Sequence, residues 1–192
     1  MSVNRKQLIL EAAAKSFSLF GYKATTMDQV AKIADVGKGT IYTFFRNKEE
    51  LFREIVERLI EEMKREADKT LNPSLSLHEN IHSVLYKMLE YRRDHQFMIK
   101  LIQEKKEMGT RAVIEMVDEI EKAIVSYISS KLKMGMENGK IIECDPELTS
   151  FLLLKMYITL IFDWEKSHTP LSKEEIAELL ELYMFKGLSR TP

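Results

Sequence analysis

The chain has 192 residues and a mass of 22.4 kDa, enough for one or two domains with a core that needs no disulfide. Apolar residues make up 45% and charged residues 31%, with only 7 Gly and 4 Pro, which excludes collagen-like, low-complexity and disordered classes. The net charge of −1 conceals an asymmetry: residues 1–48 hold 8 Lys and Arg against 3 Asp and Glu, while residues 49–192 hold 21 against 27.

A basic head on an acidic body directs the head towards a polyanion. The one cysteine, Cys144, can form neither an internal disulfide nor a Cys-rich metal site, which suits a reducing cytoplasm. Met1 to Gln7 are polar and lack an apolar signal core, so a cytoplasmic location is expected.

Apolar residues recur at three-four spacing, so the expected fold class is all-α with about nine helices. Residues 5–20 place Leu8, Ile9, Ala12, Ala13, Phe17 and Phe20 on one stripe, with Gly21 as the stop. Thr26 and Gln29 stand in capping-box spacing, and Val30, Ala31, Ile33 and Ala34 form the buried side of a short helix. Asp35-Val36-Gly37 reads as a turn. A second short helix runs from Lys38 to Phe45, with Ile41, Phe44 and Phe45 packing inward. Asn47 caps a long helix over 48–70, which Asn72-Pro73-Ser74 breaks.

Helices are expected over 76–92, 94–106 and 109–137, with Asn138-Gly139 ending the last. Asp145-Pro146 opens a helix to about Lys166, and 12 of its 17 residues from Leu148 to Trp164 are apolar. Lys155 and Asp163 make it too charged, and its length too short, for a membrane span. It is therefore a helix buried on more than one side. Ser172 and Glu175 form a second capping box, with Leu171 and Ile176 as the staple across it.

Two short helices joined by a tight turn, over about 26–45, are helix-turn-helix architecture. The second presents residues suited to nucleic acid. Lys38 stands at its start, Gly39 allows close approach, Thr40 and Thr43 offer small hydroxyls and Tyr42 a phenol, while Lys48, at the start of the next helix, adds a point charge. The alternative from spacing alone is a plain three-helix bundle whose Lys and Thr are merely solvated.

The run from Phe20 to Ala31, and that from Val36 to Leu51, resemble the head of the tetracycline-repressor (TetR) family, and the resemblance covers about residues 5–55. It implies an operator-DNA-binding domain over 1–48 and a helical ligand-binding and dimerising body over 49–192. It further implies that Thr26 caps its helix against a phosphate and that Tyr42 and Lys48 contact phosphate. Lys38, Gly39, Thr40 and Thr43 match the base-reading surface.

Homodimerisation is expected through helices 145–166 and 171–188, since two heads on a two-fold axis read a palindrome. A small hydrophobic effector is expected to release a repressor from its operator, with no cofactor and no catalysis. Candidate effector-pocket residues are Tyr86, Met88, Phe97, Met98, Met116, Tyr127, Met156 and Trp164, although residues of these types at helical spacing are more often plain core.

A rival reading comes from His78-Glu79-Asn80-Ile81-His82, which spells H-E-x-x-H and suits a zinc-dependent hydrolase, with Glu104 or Glu107 as third ligand. No predicted strand is available to hold a peptide substrate against it. His95 and His168 lack a Ser or Cys partner for a triad. Cys144, beside a helix start, is read as a loop residue, with a redox sensor as the alternative.

Overall fold

The computed structural model describes residues 4–72, 74–75, 79–80, 83–84, 86–87 and 96–185. Eight α-helices are found among them: α1 (Arg5–Ala24), α2 (Met27–Ile33), α3 (Lys38–Phe44), α4 (Lys48–Thr70), α5 (Gln96–Glu107), α6 (Arg111–Glu137), α7 (Pro146–Ile158) and α8 (Lys173–Leu180). The expected helix over 76–92 falls largely outside the described residues, as do Met88, His78, His82 and His95. The fold is all-helical, close to expectation. Among the described residues no helix is long and apolar enough to cross a membrane.

The chain divides into two compact units, one of residues 1–61 and 92–120, the other of 62–91 and 121–192. In the first, α1 packs most extensively against α5. Phe17, Tyr22, Phe52 and Phe97 meet as an aromatic cluster. Phe52 meets Phe17 edge-on at 5.1 Å between centroids, and Phe97 at 5.9 Å. Such pairs add about 0.5–1.5 kcal/mol to the burial of their area. Ile9, Ala13, Val30, Ile41, Leu51, Leu101 and Val113 are buried in the same unit.

The expected apolar stripes need four corrections, because Leu8, Phe20, Ile33 and Phe44 are exposed. At about 100° per residue, Ile33 and Phe44 fall off the arcs set by Val30–Ala34 and Ile41–Phe45. Leu8 lies at the edge of the Ile9–Ala13–Phe17 row. Phe20 stands at a kink, beyond which Tyr22 takes the buried place.

That kink falls at the expected stop, Gly21. A short helical turn runs on to Ala24, but Gly21 itself is non-helical, with φ +81° and ψ 170°. The positive φ requires glycine, and a Cβ there, 2.7 Å from Glu104 Oε2, would also displace that carboxylate. Past the kink, the amides of Tyr22 and Lys23 donate to the Glu104 carboxylate at 2.6 and 2.9 Å, and the Thr110 hydroxyl adds a third bond at 3.2 Å. Glu104 is 5% exposed. Its carboxylate is thus engaged with α1 and Thr110, which corrects its reading as a candidate zinc ligand.

In the second unit, α7 and α8 share a core of Leu153, Ile161, Ile176, Ala177 and Leu180, with Met156, Leu160, Leu171 and Met184 packed against it. Asp145 caps α7 through the amides of Glu147 and Leu148, with Pro146 in the first turn. Ser172 and Glu175 form the expected capping box. The helix to Lys166 is not uniform: α7 widens to a π-helix over Thr159–Asp163, then tightens to a 3-10 turn over Trp164–Lys166. Leu148, Phe151 and Leu152 on α7 stay exposed, as do Leu182 and Tyr183 in the π-helical Glu181–Phe185 segment. Within this unit Asp68, near the end of α4, accepts from Tyr127 Oη at 2.7 Å and Lys131 Nζ at 2.6 Å.

Candidate nucleic-acid interface

Local chemistry fixes the two short helices. Thr26 Oγ1 accepts from Gln29 N at 3.2 Å, and Gln29 Oε1 accepts from Thr26 N at 2.9 Å, closing the capping box that starts α2. The helix ends in a Schellman arrangement: Val36 N donates to Ala31 O and Asp35 N to Lys32 O. Asp35 sits at the left-handed position with φ 52°. The chain then enters α3 from Gly37, an N-cap with no side-chain bond. Ile41 and Phe45 anchor α3 to the core, so the opposite side faces outward.

On that side, Gly39 and Thr43 are exposed, Thr40 is half-buried, and Tyr42 is 46% exposed. Nothing lies within 4 Å of the point where a Gly39 Cβ would stand. The Thr43 hydroxyl donates to Thr40 O at 2.7 Å, which leaves its oxygen as an acceptor. Lys38 Nζ meets both carboxylate oxygens of Asp28 at 2.9 Å, joining α3 to α2. These residues form one continuous polar ledge with an open notch at Gly39.

Lys48 stands differently. Its Nζ donates to Tyr22 O at 2.8 Å and Thr25 O at 3.0 Å, and lies 4.3 Å from the Tyr22 ring centroid. Burial pushes its pKa down, with the Glu104 charge opposing that shift. Sequence spacing suggested a free surface charge; two of its donors are instead spent at the end of α1. One tertiary signal was missed altogether, the Asp28–Lys38 pair, because partners ten residues apart on different helices leave no periodic trace.

The candidate effector residues are divided. Phe97 and Met116 are buried in the first unit, where Met98 is half-buried. Tyr86, Tyr127, Met156 and Trp164 belong to the second. Tyr86 Oη donates to Glu174 at 2.9 Å. Trp164 stacks on His168 at 3.8 Å between ring centroids and donates to Thr169 O at 3.2 Å. Cys144 is half-buried, with its amide 3.4 Å from Met136 Sδ. Glu79 is exposed, and no group of three or more His, Cys, Asp or Glu among the described residues is placed to hold a metal.

A braced head offering one short helix, small and phenolic side chains, and an unobstructed notch defines a helix-turn-helix DNA-binding protein. Residues 9–55 match the family described as bacterial regulatory proteins, tetR family. The chain is 62% identical over 189 residues to the uncharacterized HTH-type transcriptional regulator YhgD of Bacillus subtilis (strain 168), covering 98% of this chain and 99% of that one. Among solved structures, the fatty acid degradation regulator FadR from Bacillus halodurans superposes with a TM-score of 0.79 at 17% identity, covering 99% and 100% of the two chains. A SmeT–triclosan complex gives 0.79 at 19% identity, covering 97% and 92%.

The chain belongs to the TetR family of helix-turn-helix transcriptional regulators. Proteins of this family bind operator DNA and function as dimers. These relatives lend no support to the zinc-hydrolase alternative.

Proposed function

We propose that this regulator is a cytoplasmic repressor that docks α3 in the major groove of a palindromic operator and leaves it when a small hydrophobic effector binds. Residues 1–48 act as the reading head and residues 49–192 as the effector-binding and dimerising body. Thr40, Thr43 and Lys38 address base edges, Tyr42 and Thr26 address phosphates, and Lys48 braces α1 and adds positive charge towards phosphate. No catalytic step is assigned to any residue.

The observation that carries this reading is the notch at Gly39. Glycine within an exposed helix costs about 0.5–1 kcal/mol relative to alanine. No protein atom requires it here, since a Cβ would meet open space. A partner surface approaching the backbone closely does require it.

The test is Gly39→Ala in the full-length protein. Thermal stability should rise while affinity for a palindrome selected from random duplexes falls at least tenfold. Unchanged DNA affinity, with Tyr42→Ala equally silent, places the docking surface elsewhere.

Release needs an effector that binds one head spacing better than the other. A hundredfold loss of operator affinity corresponds to about 2.7 kcal/mol of differential binding, which one filled apolar pocket can supply. The similarity to a fatty acid degradation regulator and to a triclosan complex supports an apolar effector. Tyr86, Tyr127, Met156 and Trp164, all of the second unit, are the residues proposed to meet it.

A further inference from the structure

Asp28 is the second residue of α2, and both its carboxylate oxygens lie 2.9 Å from Lys38 Nζ at the first residue of α3. An acid in the first turn of a helix is favoured by the helix dipole, which accounts for Asp28 but not for its pairing across the turn. The two side chains remain 55% and 63% exposed, and an ion pair so exposed contributes little to folding. The hydrogen bond from Lys38 to Asp28 raises the lysine pKa above its ordinary value. Residues 1–48 hold just three acids, Glu11, Asp28 and Asp35, and this one is bound to a cation of the proposed reading surface.

We propose that Asp28 is a specificity determinant for DNA: it neutralises and aims the Lys38 ammonium, so that Lys38 serves one position in the docked register and does not grip phosphates at random. This rests on the α3 docking surface proposed above. Non-specific binding is almost wholly phosphate neutralisation, and its salt slope changes by about 0.9 for each phosphate gained. Releasing Lys38 therefore adds one phosphate contact per head on any sequence. In the docked register the same change loses the aim of the ammonium, so the selected sequence gains less than random DNA does.

The experiment compares Asp28→Asn with wild type in the full-length protein, on a random-sequence duplex and on a palindrome selected by wild type. Asp28→Asn should tighten random-duplex binding several-fold at low salt and steepen its salt slope by about 0.9 per head. The ratio of selected to random affinity should fall. Asp28→Glu should keep the wild-type ratio, and Asp28→Ser should repeat the Asn result if that variant folds poorly. In a Lys38→Ala background the effect of Asp28→Asn should vanish, since no ammonium is left to release.

An unchanged slope, or an equal effect in the Lys38→Ala background, overturns the proposal. The docking surface then survives if Lys38→Ala or Tyr42→Ala still weakens binding. If neither does, the surface fails and the proposal with it.

Discussion

Asp35 shows how a single residue can work against its own surroundings. It holds a left-handed conformation that glycine adopts freely and that costs an L-residue about 1–2 kcal/mol, softened for Asp by local hydrogen bonding. Its amide and that of Val36 close the end of α2, so the conformation is fixed by the turn and not by the side chain. Asp35→Gly should therefore stabilise the protein by about 0.5–1 kcal/mol. Chemical denaturation measures this, and a loss of stability would show that the carboxylate is contributing more than the backbone strain removes. Gly39 is the opposite case, a glycine with ordinary backbone angles and no neighbour, whose replacement should favour the helix and harm DNA binding.

Among the elements, α1 and α5 depend on each other through one buried carboxylate. Glu104 satisfies two amides freed at the Gly21 kink, and charge-assisted hydrogen bonds of this kind are worth about 1.5–3 kcal/mol each when a partner is lost. Glu104→Gln keeps the shape but can turn only one oxygen to those amides. It should lower unfolding free energy by about 1.5–3 kcal/mol, read from urea unfolding. A change within experimental error would mean that water or Thr110 takes over the vacated bond.

The helix boundaries themselves were legible in the sequence. Thr26 with Gln29, Asp145 with Pro146 and Ser172 with Glu175 are local signals, and each helix starts where they place it. The break at Gly21 was legible as a stop, but its tie to Glu104 was not, because that acid lies more than eighty residues away. Nor was the widening of α7 into a π-helix at Thr159, for which periodicity offers no cue. In the reading head, Gly39, Tyr42 and Thr43 could be placed outward from their spacing around Ile41. The internal engagement of Lys48 and the pairing of Lys38 depend on tertiary neighbours and left no mark in the spacing.

At the scale of the whole molecule, the exposed apolar side of α7 calls for a covering. We infer that a second copy supplies it, with 145–166 and 171–188 of both chains forming a four-helix interface. Leu148, Phe151 and Leu152 are too close together to be scattered surface apolar residues. Each fully covered side chain contributes about 1.5–3 kcal/mol. Leu152→Glu should shift the protein to single chains in sedimentation and abolish tight palindrome binding, while helix content stays intact. A dimer that persists would move the interface to another face.

The aromatic cluster carries a consequence for modularity. Phe97 and Glu104 come from the middle of the chain, far beyond the reading helices, yet they wall and pin the same unit. A chimera that grafts only the first fifty or so residues onto a foreign regulator would leave rings facing water and main-chain donors bare. Transplanting operator choice intact therefore means carrying α5 along with the head, or confining the graft to the outward side chains of α3.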